Sequence, residues 1–489
     1  MWQQQRDRGR SSWQGHRPPR GRHIKPVRNP ADTSSTSQQP LPQTTELNAK
    51  TPLLELQHKI KSLGFPQSCN CVLGLLDKHF KATIAGDIAT KNSLPNRETL
   101  LFLVKTFVLC LPQGKKYRDE ASLSPLQELQ LLEELQGALG EKESIEHCYC
   151  IFDALFGRNG SNADGDEDDL QSDEFICSSG RHKVLYKLLS LSVSLERGTI
   201  LSCVAVWMKN HPREALHLAL ALYEDFCVML PNAGDPLFRL AAVSPHIAYQ
   251  LTQVFTTLHP IYRGRDGSLP GAPTTEPHPP IQLVQLISHW VESSPEFLHQ
   301  QQAIEGLSDL PLMHPQTVQS SIPSSKSPLA GLVQWCVVAP LASLSNASGR
   351  TDASHGTLCG TDRSGQGLNP NSPTDASFDR LMAELHVKLL SVVLSRSVAL
   401  ANWAFTTGDL CVIVSAVVGY SRQVADALPS EMPAKMDECM ERLAQFLQIA
   451  HATGVVTVKA EELSQITSSL PSNRYDQIYP QKDLVLYLD

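Results

Sequence analysis

The sequence has few aromatic residues and lacks the patterns of a secreted or membrane-spanning protein. Phe, Trp and Tyr make up 6% of the 489 residues, while leucine and alanine are frequent, which suits helices packed on helices. An apolar stretch from Leu100 to Leu111 is interrupted by Lys105 and is far shorter than the ~20 residues that span a bilayer. No apolar signal-peptide core stands at the N-terminus. We therefore expect a soluble chain in the cytosol or nucleus, without membrane contact.

Disulfide and zinc patterns are also missing. The twelve cysteines are scattered, and no Cys-x-x-Cys occurs, which favours reduced thiols that pack as small apolar side chains. Two Cys-x-Cys pairs are present, Cys69/Cys71 and Cys148/Cys150. A zinc site would need the two pairs to meet, so we predict core cysteines and no metal.

Patterns for catalysis and nucleotide binding are absent as well. The sequence contains no Gly-x-Ser-x-Gly, no phosphate-binding loop and no dinucleotide fingerprint. The acidic run 164–174 resembles a calcium loop, but Glu167 stands where the turn requires glycine. We predict no catalytic residue, no cofactor and no metal site, and interpret the run as a solvated acidic loop.

Charge is unevenly distributed along the chain. The first 28 residues hold eight Lys/Arg and one acid, so the net charge of −8 leaves about −15 for the remainder. An acidic body argues against a dedicated nucleic-acid-binding fold. Arginine pairs with phosphates and stacks on bases, so weak RNA contact by the tail is one hypothesis; a solubilising or nuclear-import segment is the alternative. The candidate contact residues are Arg8, Arg10, Arg20 and Arg22.

Composition divides the chain into four parts. Residues 1–50 have almost no large aliphatic side chains and predict a disordered basic tail. Residues 51–342 predict an N-terminal helical region, with loops near 157–180 and 263–280. Residues 343–377 are rich in Ser, Gly and Asn and predict a flexible linker. Residues 378–489 predict a C-terminal helical region.

Apolar residues at intervals of three and four indicate amphipathic helices in both regions. The predicted core rows are Leu216, Leu220, Tyr223, Cys227 and Leu230; Met436, Met440, Leu443, Leu447 and Ala450; and Leu126, Leu129, Leu132 and Leu135. Only Val455–Val458 favours a short extended piece. Four Ser-Pro pairs predict helix starts, with serine as the cap and proline in the first turn. They begin at Ser124, Ser244, Ser294 and Ser327, and Gln127 adds a capping box to the first.

These elements predict an all-α fold, specifically an irregular HEAT-like α-solenoid of stacked helix pairs. An irregular helical bundle is the alternative, because no clean sequence period is visible. Trp207, Trp290 and Trp335 lie within apolar helices. We predict that they belong to the core, with a role as exposed partner-contact residues as the alternative.

Three stretches resemble the family of Integrator complex subunit 15. They are Leu126–Leu135 after Ser124-Pro125, the helix Pro328–Ala342, and Glu441–Val456. Their order and spacing are similar to those of the family from about residue 52 to 480. Gln334 and Val338 replace basic residues of vertebrate members, and the basic tail is extra, which indicates a distant, invertebrate member.

The resemblance implies a nuclear, non-catalytic scaffold subunit of the Integrator complex. Such a subunit would bridge the modules of the complex in promoter-proximal termination by RNA polymerase II and in small nuclear RNA 3′-end processing. Its implied partners are subunits 10, 13 and 14 of the tail module, with RNA polymerase II associated indirectly. Two other hypotheses are an RNA-binding adaptor acting through the basic tail and a cytosolic helical-repeat trafficking adaptor.

Overall fold

The first half of the chain folds into helices of nine to 24 residues. The computed structural model describes residues 53–84, 97–112, 123–140, 144–157, 171–229, 234–259, 279–299, 327–349, 374–401, 405–427, 430, 432–456, 460–468 and 470. The first eleven helices are α1 Leu53–Ser62, α2 Gln67–Ile84, α3 Arg97–Cys110, α4 Pro125–Ala138, α5 Ile145–Phe156, α6 Gln171–Ser194, α7 Gly198–Asn210, α8 Pro212–Tyr223, α9 Asp235–Val243, α10 Pro245–Leu258 and α11 Ile281–Ser293.

Six further α-helices complete the described fold. They are α12 Pro328–Gly349, α13 Thr374–Ser395, α14 Ser397–Leu400, α15 Thr407–Ala427, α16 Met432–Ala452 and α17 Ala460–Thr467. A π-helical turn, Glu224–Met229, continues α8, and a 3₁₀ helix, Pro295–His299, follows α11. The described residues contain no strand, so the predicted all-α class is confirmed.

Helix α12 is the centre of the C-terminal half. Every residue from Pro328 to Ala342 is buried, because α10, α13, α15 and α16 all pack against it. A helix that is apolar on all sides is stable in water only when it is enclosed in this way. This enclosure fits the irregular-bundle alternative for this half of the fold, whereas the solenoid stays a prediction.

The helix starts follow the predicted capping chemistry at two of the four Ser-Pro pairs. Ser124 forms the predicted capping box, accepting from the Gln127 amide at 3.4 Å while its own amide donates to the Gln127 side chain at 2.9 Å. Ser327 accepts from the Ala330 amide at 3.2 Å and caps α12. Ser244 occupies the N-cap position of α10, but its side chain makes no capping hydrogen bond. Ser294 precedes the 3₁₀ helix rather than an α-helix.

Several boundaries differ from the sequence-based expectation. Helix α6 begins at Gln171, so the last ten residues of the stretch 157–180 are helical. Helix α12 runs through Pro340 to Gly349 instead of ending at the proline. Val455 and Val456 follow α16 without forming a strand, and 457–459 lie outside the described residues.

The predicted core row of α16 is confirmed, whereas that of α8 is only partly right. Tyr223 and Cys227 are half-buried and pack against the core, and Leu230 lies outside the described residues. Met436, Met440, Leu443, Leu447 and Ala450 are all at most 5% exposed. On α8 the buried row is instead Ala215, Leu218, Ala219, Leu222 and Phe226. Both rows of α8 have helical spacing, and the small alanines let α8 approach its neighbours closely, so the larger residues Leu216 and Leu220 remain only half-buried.

The predicted row of α4 is wrong at its first two positions. Leu126 and Leu129 are 66% and 38% exposed. The buried leucines are Leu131, Leu132, Leu135 and Leu139. This short helix has more leucines than one buried face can hold, so some of them face solvent.

Candidate protein-interaction surface

The three tryptophans singled out from the sequence are core residues. Trp207 and Trp290 are 0% exposed and Trp335 is 1% exposed. Each indole N–H donates to a backbone carbonyl of another element: Trp207 to Phe156 at 3.2 Å, Trp290 to Leu237 at 2.9 Å and Trp335 to His259 at 2.9 Å. A buried indole needs such an acceptor.

This burial decides between the two interpretations of the tryptophans. The three side chains are enclosed, and the hydrogen bond of each indole N–H connects two elements. These bonds connect α7 to α5, α11 to α9, and α12 to the end of α10. As they are placed, a partner protein cannot touch them. Contacts to a partner must come from exposed side chains instead.

The arginines proposed for RNA contact, Arg8, Arg10, Arg20 and Arg22, lie outside the described residues, as does the acidic run 164–170.

A buried polar cluster lies where α5 meets α7. The Tyr149 hydroxyl accepts from Asn210 Nδ2 at 2.6 Å and donates to Asp153 Oδ1 at 3.4 Å. His211 Nε2 lies 3.4 Å from the same carboxylate oxygen, and its ring packs on Trp207 with centroids 4.8 Å apart. Burial, reinforced by the nearby Asp153 charge, raises the pKa of Tyr149.

The Asp153 cluster has the residue types of an acid–base site but not the accessibility of one. Tyr149 is 0% exposed and Asp153 is 8% exposed, so the carboxylate is largely enclosed by its own partners. The thiol of Cys150, one turn away, has its pKa raised to about 11, mainly by burial and then by Asp153, which keeps it protonated and unreactive at neutral pH. The contacts of the cluster stabilise the junction of α5 and α7.

The two Cys-x-Cys pairs lie on two helices that pack against each other, with Cys69 and Cys148 buried and Cys71 and Cys150 partly buried. Cys69 and Cys71 lie in α2, whereas Cys148 and Cys150 lie in α5, where the Cys148 thiol donates to the Leu139 carbonyl at 3.2 Å. Burial raises the pKa of Cys69 to about 12, and a metal-binding cysteine must be a thiolate. Among the residues that the structure describes, no group of three His, Cys, Asp or Glu side chains could hold a metal ion.

Ion pairs connect successive helices along part of the surface. Glu133 of α4 pairs with Arg197, and Glu196 pairs with Arg239 of α9 at 2.8 Å. The same elements carry exposed apolar side chains: Leu126 and Leu129 of α4, Leu195 just before Glu196, and Phe238 of α9. The Phe238 ring meets His289 of α11 edge-on, with centroids 5.2 Å apart.

The same arrangement continues from α11 onto α13. Glu292 pairs with Lys388 at 2.6 Å, and Glu296 pairs with Arg396 at 2.7 Å. The hydrogen bond from Lys388 lowers the pKa of Glu292. Next to these pairs, Val387 and Leu394 of α13 are each 64% exposed and Val398 of α14 is 92% exposed.

The sequence analysis missed these exposed residues on α13 and α14. The sequence pattern does contain a signal for them, because the buried residues of α13 form one row with helical spacing and Val387 and Leu394 lie outside that row. The core row is Phe378, Met382, Leu385, Leu389 and Val392. An apolar residue off the core row of an otherwise well-patterned helix indicates a contact that the domain itself does not use.

Within the described part of the chain, no helix combines the length and apolar character needed to cross a bilayer. The fold and surface define the class: an all-α protein whose exposed apolar side chains stand beside inter-helical ion pairs.

Comparison with known proteins gives the family. The family model described as Integrator complex subunit 15 matches residues 54–472, and the chain therefore belongs to this family. A relative from Danio rerio is 27% identical over 384 residues, covering 77% of this chain and 70% of the relative. A relative from Homo sapiens is 26% identical over 385 residues, covering 77% and 76%. One from Drosophila melanogaster is 25% identical over 302 residues, covering 61% and 67%. All three are named Integrator complex subunit 15.

The resemblance found in three sequence stretches is thus confirmed, and the structure shows what those stretches do. Pro328–Ala342 is the enclosed part of α12, and Glu441–Val456 covers the end of α16. These two stretches pack against each other, and Arg442 Nη1 donates to the Cys336 carbonyl at 2.8 Å. The third stretch, Leu126–Leu135, lies in α4 and is partly exposed.

Proposed function

We propose that this chain is a nuclear, non-catalytic scaffold subunit of the Integrator complex. It bridges modules of the complex during promoter-proximal termination by RNA polymerase II and small nuclear RNA 3′-end processing. Its direct partners are other Integrator subunits, with tail-module subunits 10, 13 and 14 first among them, and its association with RNA polymerase II is indirect. The observation that carries this proposal is the family match over residues 54–472.

Two structural features support a scaffold rather than a reaction centre. Tyr149, Asp153, Cys69 and Cys148, which carry reactive groups, are buried. Tyr149, Asp153 and Cys148 also make hydrogen bonds within or between elements. Exposed apolar side chains, in contrast, include Leu126 and Leu129 of α4, Phe238 of α9, Val387 and Leu394 of α13, and Val398 of α14. Exposed apolar groups next to polar residues are typical of protein-binding surfaces.

Affinity purification of the tagged full-length chain from nuclear extract tests this proposal. We expect Integrator subunits to be recovered in amounts comparable to the bait, and subunits 10, 13 and 14 to persist at the highest salt concentrations. An unrelated nuclear protein with the same tag serves as the control. Recovery of the bait without Integrator subunits, or a predominantly cytosolic bait, would contradict the proposal.

A second proposal concerns the basic tail. The repeated Arg-Gly-Arg segments, with Arg8, Arg10, Arg20 and Arg22, and the nearby Trp2 and Trp13 suit weak, sequence-independent contact with single-stranded RNA. Removing residues 1–50 should abolish binding to a labelled oligonucleotide at ~150 mM salt. Equal binding with and without the tail would contradict this proposal.

A further inference from the structure

The outer face of α13 carries a row of exposed positions at intervals of four and three. Arg380, Glu384, Val387, Ser391 and Leu394 are all exposed. At 100° per residue these five positions fall within about 80° of arc along ~21 Å of helix. This spacing is that of the contact face between two packed helices.

Apolar side chains dominate the second half of this row. Val387 and Leu394 are 64% exposed and Val398, in the adjoining α14, is 92% exposed. Ser391 stands between them and is small enough for another backbone to come close. We call Val387, Ser391, Leu394 and Val398 the α13 seam. Single exposed apolar residues are ordinary, but Val387 and Leu394 share one face of α13 two turns apart, and Val398 follows at the start of α14. An exposed apolar group of this kind is a candidate binding surface.

The charged side chains beside the α13 seam are already paired. Arg380 pairs with Glu384 on the same helix at 2.9 Å. Lys388 pairs with Glu292 of α11, and Arg396 pairs with Glu296, as described above. The seam therefore offers no unneutralised cation to a phosphate or an acidic peptide, and its occupant must present an apolar face.

We propose that the α13 seam binds an amphipathic α-helix of another protein subunit, whose apolar residues recur at intervals of three and four. This inference rests on the proposed function, because the partner is a subunit of the same complex. A β-strand does not match the seam, since its side chains repeat every two residues. Helix-in-groove and helix-on-helix binding use the spacing that the seam presents.

A second copy of this chain fits the seam less well. A parallel symmetric pair would place Glu384 against Glu384. The few side chains of the seam also bury far less than the ~1,200 Å² of a stable two-protein interface. A helix held by further contacts elsewhere in a larger assembly avoids both problems.

A photo-crosslinking amino acid at Ser391 identifies the occupant directly. The tagged full-length chain carrying benzoylphenylalanine at this position is irradiated in nuclear extract, purified, and its crosslinked peptides are sequenced. We expect a peptide from another Integrator subunit with apolar residues at three-four spacing. The same probe at Met229, which is 72% exposed, is the matched control and should not capture that peptide. Crosslinks to a second copy, to this chain itself, to RNA, or to nothing would overturn the proposal.

A charge placed in the seam tests whether the contact matters for assembly. Leu394→Glu should lower recovery of the crosslinked subunit at least tenfold, whereas Met229→Glu should leave it within twofold of wild type. Both positions are exposed, so the thermal unfolding midpoint should stay close to that of wild type. If Leu394→Glu unfolds, Val398→Glu replaces it.

The outcomes separate this inference from the proposed function. Wild type that recovers Integrator subunits, together with Leu394→Glu that recovers all of them equally, overturns the seam proposal alone. Wild type that recovers none overturns the proposed function, and with it the assignment of the seam to a subunit of that complex.

Discussion

At the scale of single residues, Pro340 and Arg442 show how a local defect is compensated from another helix. Proline has no amide hydrogen, so Pro340 leaves the Cys336 carbonyl in α12 without its helical donor. Arg442 of α16 donates to that carbonyl at 2.8 Å and pairs with Glu438 at 2.5 Å. Arg442 is 6% exposed, and its buried charge is therefore satisfied by one backbone and one carboxylate acceptor.

Arg442→Met should destabilise the protein by about 2–4 kcal/mol, because it leaves the buried Cys336 carbonyl without a donor and removes a buried ion-pair partner. Urea unfolding followed by circular dichroism measures the change. Arg380→Met is the control, since this side chain is 82% exposed and pairs only within its own helix. In a Pro340→Ala background, where the amide is restored, the cost of Arg442→Met should fall; a cost equal in both backgrounds would contradict the compensation.

His386 is a second residue whose surroundings decide its chemistry. It is buried between α13 and α16, and its Nε2 donates to Gln445 at 3.3 Å. Burial, followed by the positive charge of Arg442, lowers the pKa of His386 to about 4. The ring is therefore neutral in the folded protein at pH values where an unfolded histidine, with a pKa near 6.5, begins to gain a proton.

His386→Leu should reduce the acid sensitivity of the fold. Because the unfolded state binds the proton first, His386 lowers wild-type stability as the pH falls from about 6.5 to 4, by about 3 kcal/mol over the whole window. The unfolding free energy of the variant relative to wild type should rise by that order between pH 7 and pH 4. His217→Leu, at an exposed position, should show no such change, and parallel pH curves for His386→Leu and wild type would contradict the prediction.

At the scale of elements, α10 and α12 pack tightly against each other at Gly331. A Cβ atom at this position would lie 2.5 Å from the Cβ of Thr256 in α10, and closer still to its hydroxyl oxygen. Apolar atoms in contact are normally ~3.5–4.0 Å apart. Glycine is required here by the neighbouring helix and not by its own backbone conformation.

Gly331→Ala should therefore destabilise the protein by about 1–3 kcal/mol, because the two helices must separate. The matched control is Gly74→Ala in α2, where a Cβ meets nothing within 4 Å; there alanine should be neutral or stabilise by up to about 1 kcal/mol through its higher helix propensity. Thermal or urea unfolding of both variants decides the question. Equal effects of the two substitutions would contradict the close approach.

Helix identity was more predictable than helix orientation. The three-four rows at 126–135, 216–227 and 436–450 all lie in helices. Only the row of α16 is wholly buried, since α8 and α4 each have two apolar rows and the neighbouring helices cover the other one. For the same reason the sequence did not predict the α13 seam. Helix α13 also has exposed apolar residues outside its core row, and no described helix covers them.

At the scale of the whole molecule, the helices on both sides of residues 350–373 belong together. Helix α12 precedes this stretch, and α13, α15 and α16 follow it and pack against α12. The pairs Glu292–Lys388 and Glu296–Arg396 also cross it. A predicted linker in the sequence can therefore separate parts of the chain that share a core.

A protease site inserted after Asn369 tests this. After cleavage, the two fragments should still co-elute in size-exclusion chromatography at the position of the intact protein, because separation would expose the apolar surface of α12. The same cleaved sample in 8 M urea should give two separate fragments. Fragments that separate without denaturant would show that the two parts do not share a core.

The sequence by itself determined the all-α class, most helix positions, the Ser124 capping box and the family. These depend on local hydrogen bonding, on periodicity within one helix, and on stretches of residues that stay together along the chain. Only the tertiary structure decided that Trp207, Trp290 and Trp335 are internal, that Arg442 serves the carbonyl freed by Pro340, and that the α13 seam is left uncovered. Burial depends on which other helix covers a given face, and that neighbour is distant in the sequence.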